Sequence, residues 1–417
     1  MYQKLPACRV CGSKSLSGYL DLGEMPLANS LVRPEAKGKK ELFFPLEVLF
    51  CNDCCLSQLS VVVDPKVLFW GYVYRSSVSK TFQRHCRGMA LNLREMFAGK
   101  KGLSVLDIAS NDGCLLVEFM EEGFKVMGVE PATNLAEIAI SKGIPTIDLF
   151  WGSIAAKKVL KGFGKVDVVT ATNVLGHVND VHAFVRAAKL VLKEQGLFVV
   201  EVPTVANIVK KNQFDTIYHE HLSYFLLKPL AELFSRNGME IVDVQEFEIH
   251  GGTMRVFAAF KGAWEKNSVG IERVLEKEEK EGMYFLGTYI ALKKDVEKIR
   301  RDLVSLLKEL KSEKKRIVAY GASAKGSTLL NYCNIGTEFI DFVIHDTPEK
   351  QNCWTPGNHL PIFPSSHLEE KKPDFLLLLA WNFSKELISK TPLHMKRGGK
   401  YIIPIPEVKI VSSVEEL

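Results

Sequence analysis

Short apolar runs alternate with amphipathic stretches along most of this chain. The clearest alternation is Val105-Leu106-Asp107-Ile108, an apolar run closing in the small and polar turn Ala109-Ser110-Asn111-Asp112-Gly113. Cys114-Leu115-Leu116-Val117-Glu118-Phe119 opens a helix, and Lys125-Val126-Met127-Gly128-Val129 is a second strand ending at Glu130. Strand, tight loop, helix and strand with an acid at its tip make one βαβ unit. Ile144-Pro145-Thr146-Ile147-Asp148, Val166-Asp167-Val168-Val169-Thr170-Ala171 and Gly196-Leu197-Phe198-Val199-Val200-Glu201-Val202-Pro203 predict third, fourth and fifth strands. The fourth ends at Thr172-Asn173-Val174-Leu175-Gly176-His177. Ligands sit at the carboxyl ends of such strands, so topology alone singles out Asn173 and His177.

The same strand–loop–helix pattern returns at Arg316-Ile317-Val318-Ala319-Tyr320-Gly321-Ala322-Ser323-Ala324-Lys325-Gly326, followed by a strand over residues 339–344. Between the two lies a Glu/Lys-rich stretch, residues 269–313, which predicts a solvated helix pair. The expected class is α/β: a methyltransferase-type Rossmann-like core, a small N-terminal metal-binding module and a C-terminal Rossmann-like domain. The expected boundaries are 1–68, 69–260 and 261–417. A length of 417 residues suits two or three such units.

Bulk numbers narrow the partners. The chain is 47% hydrophobic and 25% charged, with a net charge of +5 and no long basic run, so nucleic acid is not implied. No apolar run is long enough to span a bilayer, and Met1-Tyr2-Gln3-Lys4-Leu5-Pro6 lacks the apolar region of a signal peptide. A cytoplasmic protein is expected, in which nine cysteines would stay reduced and clustered ones become metal ligands.

Two C-x-x-C knuckles, Cys8/Cys11 and Cys51/Cys54, supply four thiolates for a structural zinc ion. Redox use of one pair leaves the other unexplained, and Cys55 is an ambiguous extra. The stretch around them has too few apolar residues to fold alone, so metal binding would stabilise it. In the central unit, G-x-G-x-x-G and a Walker lysine are both absent. The loop carries acids at Asp107 and Asp112, and Glu130 can accept bonds from two ribose hydroxyls. These features suit S-adenosylmethionine, with Asp107, Ala109, Ser110, Asn111, Gly113, Glu130 and Asn173 around it.

Phe69-Trp70-Gly71-Tyr72-Val73-Tyr74 crowds aromatics ahead of a helix near Lys80, capped by Ser77 or Ser79. It is either a packed linker or a source of a tyrosine hydroxyl for the site. Asp215-Thr216-Ile217-Tyr218-His219-Glu220-His221-Leu222-Ser223-Tyr224 is dense in chemistry and follows a strand end. A general base with a hydroxyl partner fits it better than a metal chelate, which has no third ligand nearby. His250-Gly251-Gly252-Thr253-Met254-Arg255 is either a hairpin turn or a close backbone approach to a ligand, with Arg255 able to meet a phosphate. In the C-terminal loop, Lys325 at a helix N-terminus favours an anion, such as a substrate diphosphate. A bound NAD is the alternative there, although the spacing of the dinucleotide fingerprint is imperfect.

Taken in order, these motifs resemble the nucleotide-sugar C-methyltransferase family, whose members place a branch methyl on 4-keto deoxysugars. The resemblance runs from Cys8/Cys11/Cys51/Cys54 through Ser110-Asn111-Asp112-Gly113, Tyr218-His219-Glu220-His221 and His250-Gly251-Gly252. It continues through residues 320–326 to Pro356-Gly357-Asn358-His359-Leu360-Pro361-Ile362. It implies an S-adenosylmethionine-dependent enzyme with structural zinc and a thymidine diphosphate-type sugar substrate, bound between the last two domains. His221 matches the general base, Tyr218 its partner at the sugar and Glu220 the supporting acid. His177 and Tyr72 match further site residues, Tyr74 being a rival for the latter. His219, Tyr224, His250, Arg255 and Lys325 are the substrate-binding candidates. Many methyltransferases carry Gly where this chain has Ala109. Transfer to oxygen or nitrogen, or a non-catalytic zinc- and nucleoside-binding scaffold, are the competing readings.

Overall fold

The computed structural model describes residues 1–68 and 75–417. The N-terminal part contains β1 (Tyr2–Lys4), β2 (Leu16–Pro26), β3 (Phe43–Cys51), β4 (Ser57–Leu59) and β5 (Val61–Val63). β1 and β5 form an antiparallel ribbon, while β2, β3 and β4 pair antiparallel in a second sheet. β3 alternates buried and part-exposed positions, as a strand with one face on a core must. That core is shared: Tyr19, Leu20, Leu46 and Phe50 join one apolar cluster with the C-terminal domain.

The central domain is built on β6 (Ser104–Ile108), β7 (Lys125–Val129), β8 (Thr146–Ile147), β9 (Val166–Thr172) and β10 (Leu192–Pro203). β11 (Ser223–Tyr224), β12 (Met239–Phe247) and β13 (Thr253–Phe260) follow. The sheet order is β12-β13-β10-β9-β6-β7-β8, with β13 antiparallel between β10 and β12. All five residues of β6 are buried, as expected for the middle strand of a parallel sheet covered on both faces. β11 leaves this sheet and pairs with β4 at the edge of the N-terminal sheet, so the chain around Tyr218–His221 is stitched between two domains.

The expected helix pair is present as Ser268–Lys280 and Leu286–Ser312. The second helix buries Tyr289, Leu292, Val296, Ile299, Leu303, Leu307 and Leu310, a three-four spacing that turns one stripe into the core. It leads to β14 (Ile317–Tyr320), β15 (Val343–Ile344), β16 (Ile362–Phe363), β17 (Phe375–Leu378), β18 (Lys400–Ile403) and β19 (Lys409–Val411). Their order, β16-β15-β14-β17-β18-β19, reverses direction at β14 and makes a second doubly wound sheet. An isolated bridge between Val32 and Trp354 ties this domain to the N-terminal part. Among the described residues no helix is long and apolar enough to cross a membrane.

Candidate active site

The four cysteines of the two knuckles converge. Their sulfurs all lie within 4.8 Å of one another, and the Cys8–Cys54 and Cys11–Cys51 Sγ pairs are each 3.5 Å apart. A tetrahedral zinc with Zn–S of about 2.3 Å holds its sulfurs ~3.8 Å apart, so the set fits that ion. Cys8, Val10, Cys51 and Cys54 also pack into the apolar core of the central domain, and His182 Nε2 donates to the Val10 carbonyl at 2.8 Å. The metal centre is therefore part of a domain boundary.

At the carboxyl end of β6 the chain turns through Ala109 at φ 57°, Asn111 at φ 52° and Gly113 at φ 77°. Gly113 and, less freely, Asn111 suit this region, whereas Ala109 is strained there. Glu130 accepts the Asn111 amide through Oε2 and the Ala132 amide through Oε1, both at 2.8 Å. Each carboxylate oxygen has a second lone pair, so the geometry still accommodates two ribose hydroxyls. Burial raises the proton affinity of Glu130 and pushes Asp107 up to about 7, where Thr170 donates to it at 2.7 Å. The Ser110 Oγ is buried without a hydrogen-bond partner. Asn173, also at positive φ, donates its amide to the Glu201 carbonyl and sits beside this loop. The loop's cover is Ser76–Val78: the Ser76 amide donates to Asn111, and the Ser77 hydroxyl to Asp112. Ser79, not Ser77, caps the helix Lys80–Met96. An acid-lined, backbone-strained loop with a part-engaged carboxylate fits a cationic nucleoside cofactor. Tyr72 and Tyr74 lie outside the described residues.

Next to that loop, β9 and the Tyr218–His221 stretch bring their histidines together. The His177 and His221 rings stand edge to face at 4.9 Å, and the Tyr218 ring lies 4.0 Å from His221. His221 Nδ1 is 2.7 Å from the Thr216 carbonyl, which can only accept, so Nδ1 carries the proton and Nε2 is left as the basic nitrogen. Burial, reinforced by His177 and Lys325, holds the His221 pKa well below its ordinary value. Burial takes His177 down to about 4. Both rings are neutral at physiological pH. Across the cleft, Trp381 Nε1 donates to the buried Asp215 at 2.6 Å, and Lys325 Nζ stands 5.3 Å from the Trp381 ring. Lys325 opens the helix Ala324–Cys333, whose first turn is capped by Ser323.

Two of the expected substrate contacts, Arg255 and His219, are engaged inside the fold. Arg255 is 1% exposed and bonds Glu201 through Nε at 2.6 Å, because β10 and β13 pair Glu201 opposite Arg255. Its charge is spent inside the fold, where His85 from the helix Lys80–Met96 also bonds Glu201 at 2.8 Å. His219 is 2% exposed and holds the Phe44 and Pro45 carbonyls at 3.2 Å, clamping β3. Tyr224 is buried on β11, its ring 6.4 Å from His221. Residues 249–252 are the turn between β12 and β13, and Gly252 at φ 118° leaves room for Asn207 rather than for a side chain of its own. The sequence reading passed over Asn29 and Lys350, which flank Glu220. Neither lies in a motif, and only the fold brings them there.

Comparison with known proteins identifies the family. A family model described as "Putative zinc binding domain" matches residues 8–69, "Methyltransferase domain" matches 81–244, and "C-methyltransferase C-terminal domain" matches 248–406. C-methyltransferase NovU of Streptomyces niveus is 34% identical over 410 residues, covering 98% of each chain. The chain belongs to the C-methyltransferase family. It is an S-adenosylmethionine-dependent methyltransferase with a four-cysteine zinc site. Ubiquinone biosynthesis O-methyltransferase of Bradyrhizobium sp. matches only the central domain, at 36% identity over 28% of this chain and 45% of that protein. The crystal structure of magnesium protoporphyrin IX methyltransferase from Synechocystis PCC 6803 covers 43% of this chain and 79% of its own, at 12% identity and a TM-score of 0.34.

Proposed function

We propose that this C-methyltransferase places a branch methyl on C3 of a nucleoside-diphosphate 4-keto-deoxysugar, by way of an enolate generated by His221. The observation that carries the reading is the fixed tautomer of His221: Nδ1–H is committed to Thr216, Nε2 is left as the basic nitrogen, and the buried ring lies 4.0 Å from Tyr218 and 4.9 Å from His177. Carbon becomes nucleophilic when a neighbouring ketone takes up the charge left by a departing proton. S-adenosylmethionine supplies, when bound, an electrophilic methyl group on a sulfonium. His221 removes the C3 proton and holds it on Nε2. Tyr218 and His177 steady the oxygen on which charge develops, and Glu220 supports the pair. Tyr72, which the family resemblance puts in the same group, lies outside the described residues. Lys325, at a helix N-terminus, meets the sugar's diphosphate. A thymidine diphosphate sugar and a reducing cytosol complete the reading.

His221→Ala tests it. Turnover should fall by roughly 10²–10⁴, the range for loss of a general base, while calorimetry shows S-adenosylmethionine binding intact. Wild-type protein should exchange the C3 hydrogen for solvent deuterium when S-adenosylhomocysteine replaces the methyl donor, and the variant should not. Undiminished methylation by His221→Ala would overturn the assignment. Methyl transfer by the wild type without any C3 exchange would favour an O- or N-acceptor instead.

A further inference from the structure

Glu220 is 4% exposed, and its carboxyl is held by a side chain from outside its own domain. Asn29, in a loop of the zinc module, donates from Nδ2 to Glu220 Oε1 at 2.7 Å across 191 residues of sequence. That loop is anchored by the buried Leu27 and Ala28 and by the bridge between Val32 and Trp354. From the C-terminal domain Lys350 approaches, its ammonium donating to the Ala322 carbonyl at 2.8 Å and its charge acting on Glu220. Next to it, Glu349 pairs with Arg75, which leads into the cover of the cofactor loop. Glu220 immediately precedes His221, whose ring stands 4.9 Å from that of His177.

We propose that Asn29 and Lys350 are positioning residues for Glu220, so that the zinc module and the C-terminal domain each complete the catalytic centre of the central domain. Without them the carboxyl would sit in an apolar seam. Burial raises the Glu220 pKa, the Asn29 hydrogen bond and the Lys350 charge act in the opposite direction, and the carboxyl stands at about 7 with all three in place. The other titratable groups near it are His177, His219 and His221, the first two pushed down to about 4 and the third well below its ordinary value, hence neutral. The module's structural metal thus bears on turnover through one amide.

The test uses full-length zinc-loaded protein with ¹³C-labelled glutamate carboxyls, comparing wild type with Asn29→Asp, Asn29→Ser and Lys350→Gln. Asn29→Asp keeps the shape and removes the donor, whereas Asn29→Ser restores a hydroxyl donor. The Glu220 titration midpoint should move upward in Asn29→Asp and Lys350→Gln and return toward wild type in Asn29→Ser. Since the inference borrows the proposed C-methyl transfer for its kinetic arm, kcat is read beside it. A fall of roughly 10- to 100-fold is expected in the first two variants, the scale of a misplaced site, with S-adenosylmethionine affinity unchanged. An unmoved midpoint and kcat in both Asn29→Asp and Lys350→Gln overturn the inference, provided zinc content is intact. A wild type inactive on every 4-keto sugar overturns the proposed function instead, and the carboxyl titration then decides the inference by itself.

Discussion

The loop after β6 and the loop after β14 start from one plan and end with opposite chemistry. Both follow a fully buried parallel strand at the middle of a doubly wound sheet, and both turn sharply into a helix. The first turns on Ala109, Asn111 and Gly113 at positive φ, and its polar groups are acids: Asp107, Asp112 and Glu130. The second turns on Gly321 at φ 101°, presents a Ser323 cap, and carries Lys325 in the first helical turn. Its distal acid, Asp346, already accepts Tyr320 at 3.1 Å and pairs with Lys390 at 3.4 Å. One loop gathers carboxylates, and the other sets a lysine at a helix N-terminus. The fold supplies a crevice in each case, and a few side chains at the strand ends choose the ligand.

The comparison can be broken at its joint, because the zinc module packs on both sheets at once. Chelating the metal should produce the largest effect: structural zinc is worth about 10–16 kcal/mol of apparent binding energy. Thermal unfolding followed with and without a chelator should show the N-terminal part melting first. If the melting curve does not change, the cysteines hold no structural metal. Next in size, Glu130→Ala should weaken S-adenosylmethionine binding about 10- to 100-fold, from lost charge-assisted bonds of about 1.5–3 kcal/mol, and leave the sugar KM alone. Lys325→Met should do the reverse, raising the KM for the nucleotide sugar about 10-fold by the same reasoning without touching cofactor affinity. Calorimetry and steady-state kinetics on both variants decide it, and a crossed effect would mean that the two loops serve one ligand. Smallest is Ala109→Gly. It relieves a left-handed alanine, and stability measured by urea titration should rise by no more than about 1 kcal/mol.

How far the chain could be read depended on whether meaning was local. Cys8-x-x-Cys11 and Cys51-x-x-Cys54 declare themselves because two thiolates on one knuckle have little other use, although the nearest approaches, Cys8 to Cys54 and Cys11 to Cys51, run between knuckles. The β6 loop and Glu130 were legible from strand period and spacing. Within Tyr218–His221 the chemistry was visible but its division was not. His219 and His221 are the same residue two positions apart, and the backbone sends one into β3 and the other toward His177. Arg255 misled for the same reason: its partner Glu201 sits opposite it only because β13 runs antiparallel beside β10. Asn29 and Lys350 left no local trace at all.

The order of the elements, the metal ligands and the cofactor loop belong to the sequence alone, since each rests on periodicity or short-range spacing that the backbone must obey. Which imidazole is available, which arginine is used up inside the core, and which distant side chains reach Glu220 belong to the tertiary structure. Those answers depend on what is desolvated against what, and contacts between residues tens to hundreds of positions apart do not exist until the three parts of the chain have packed together.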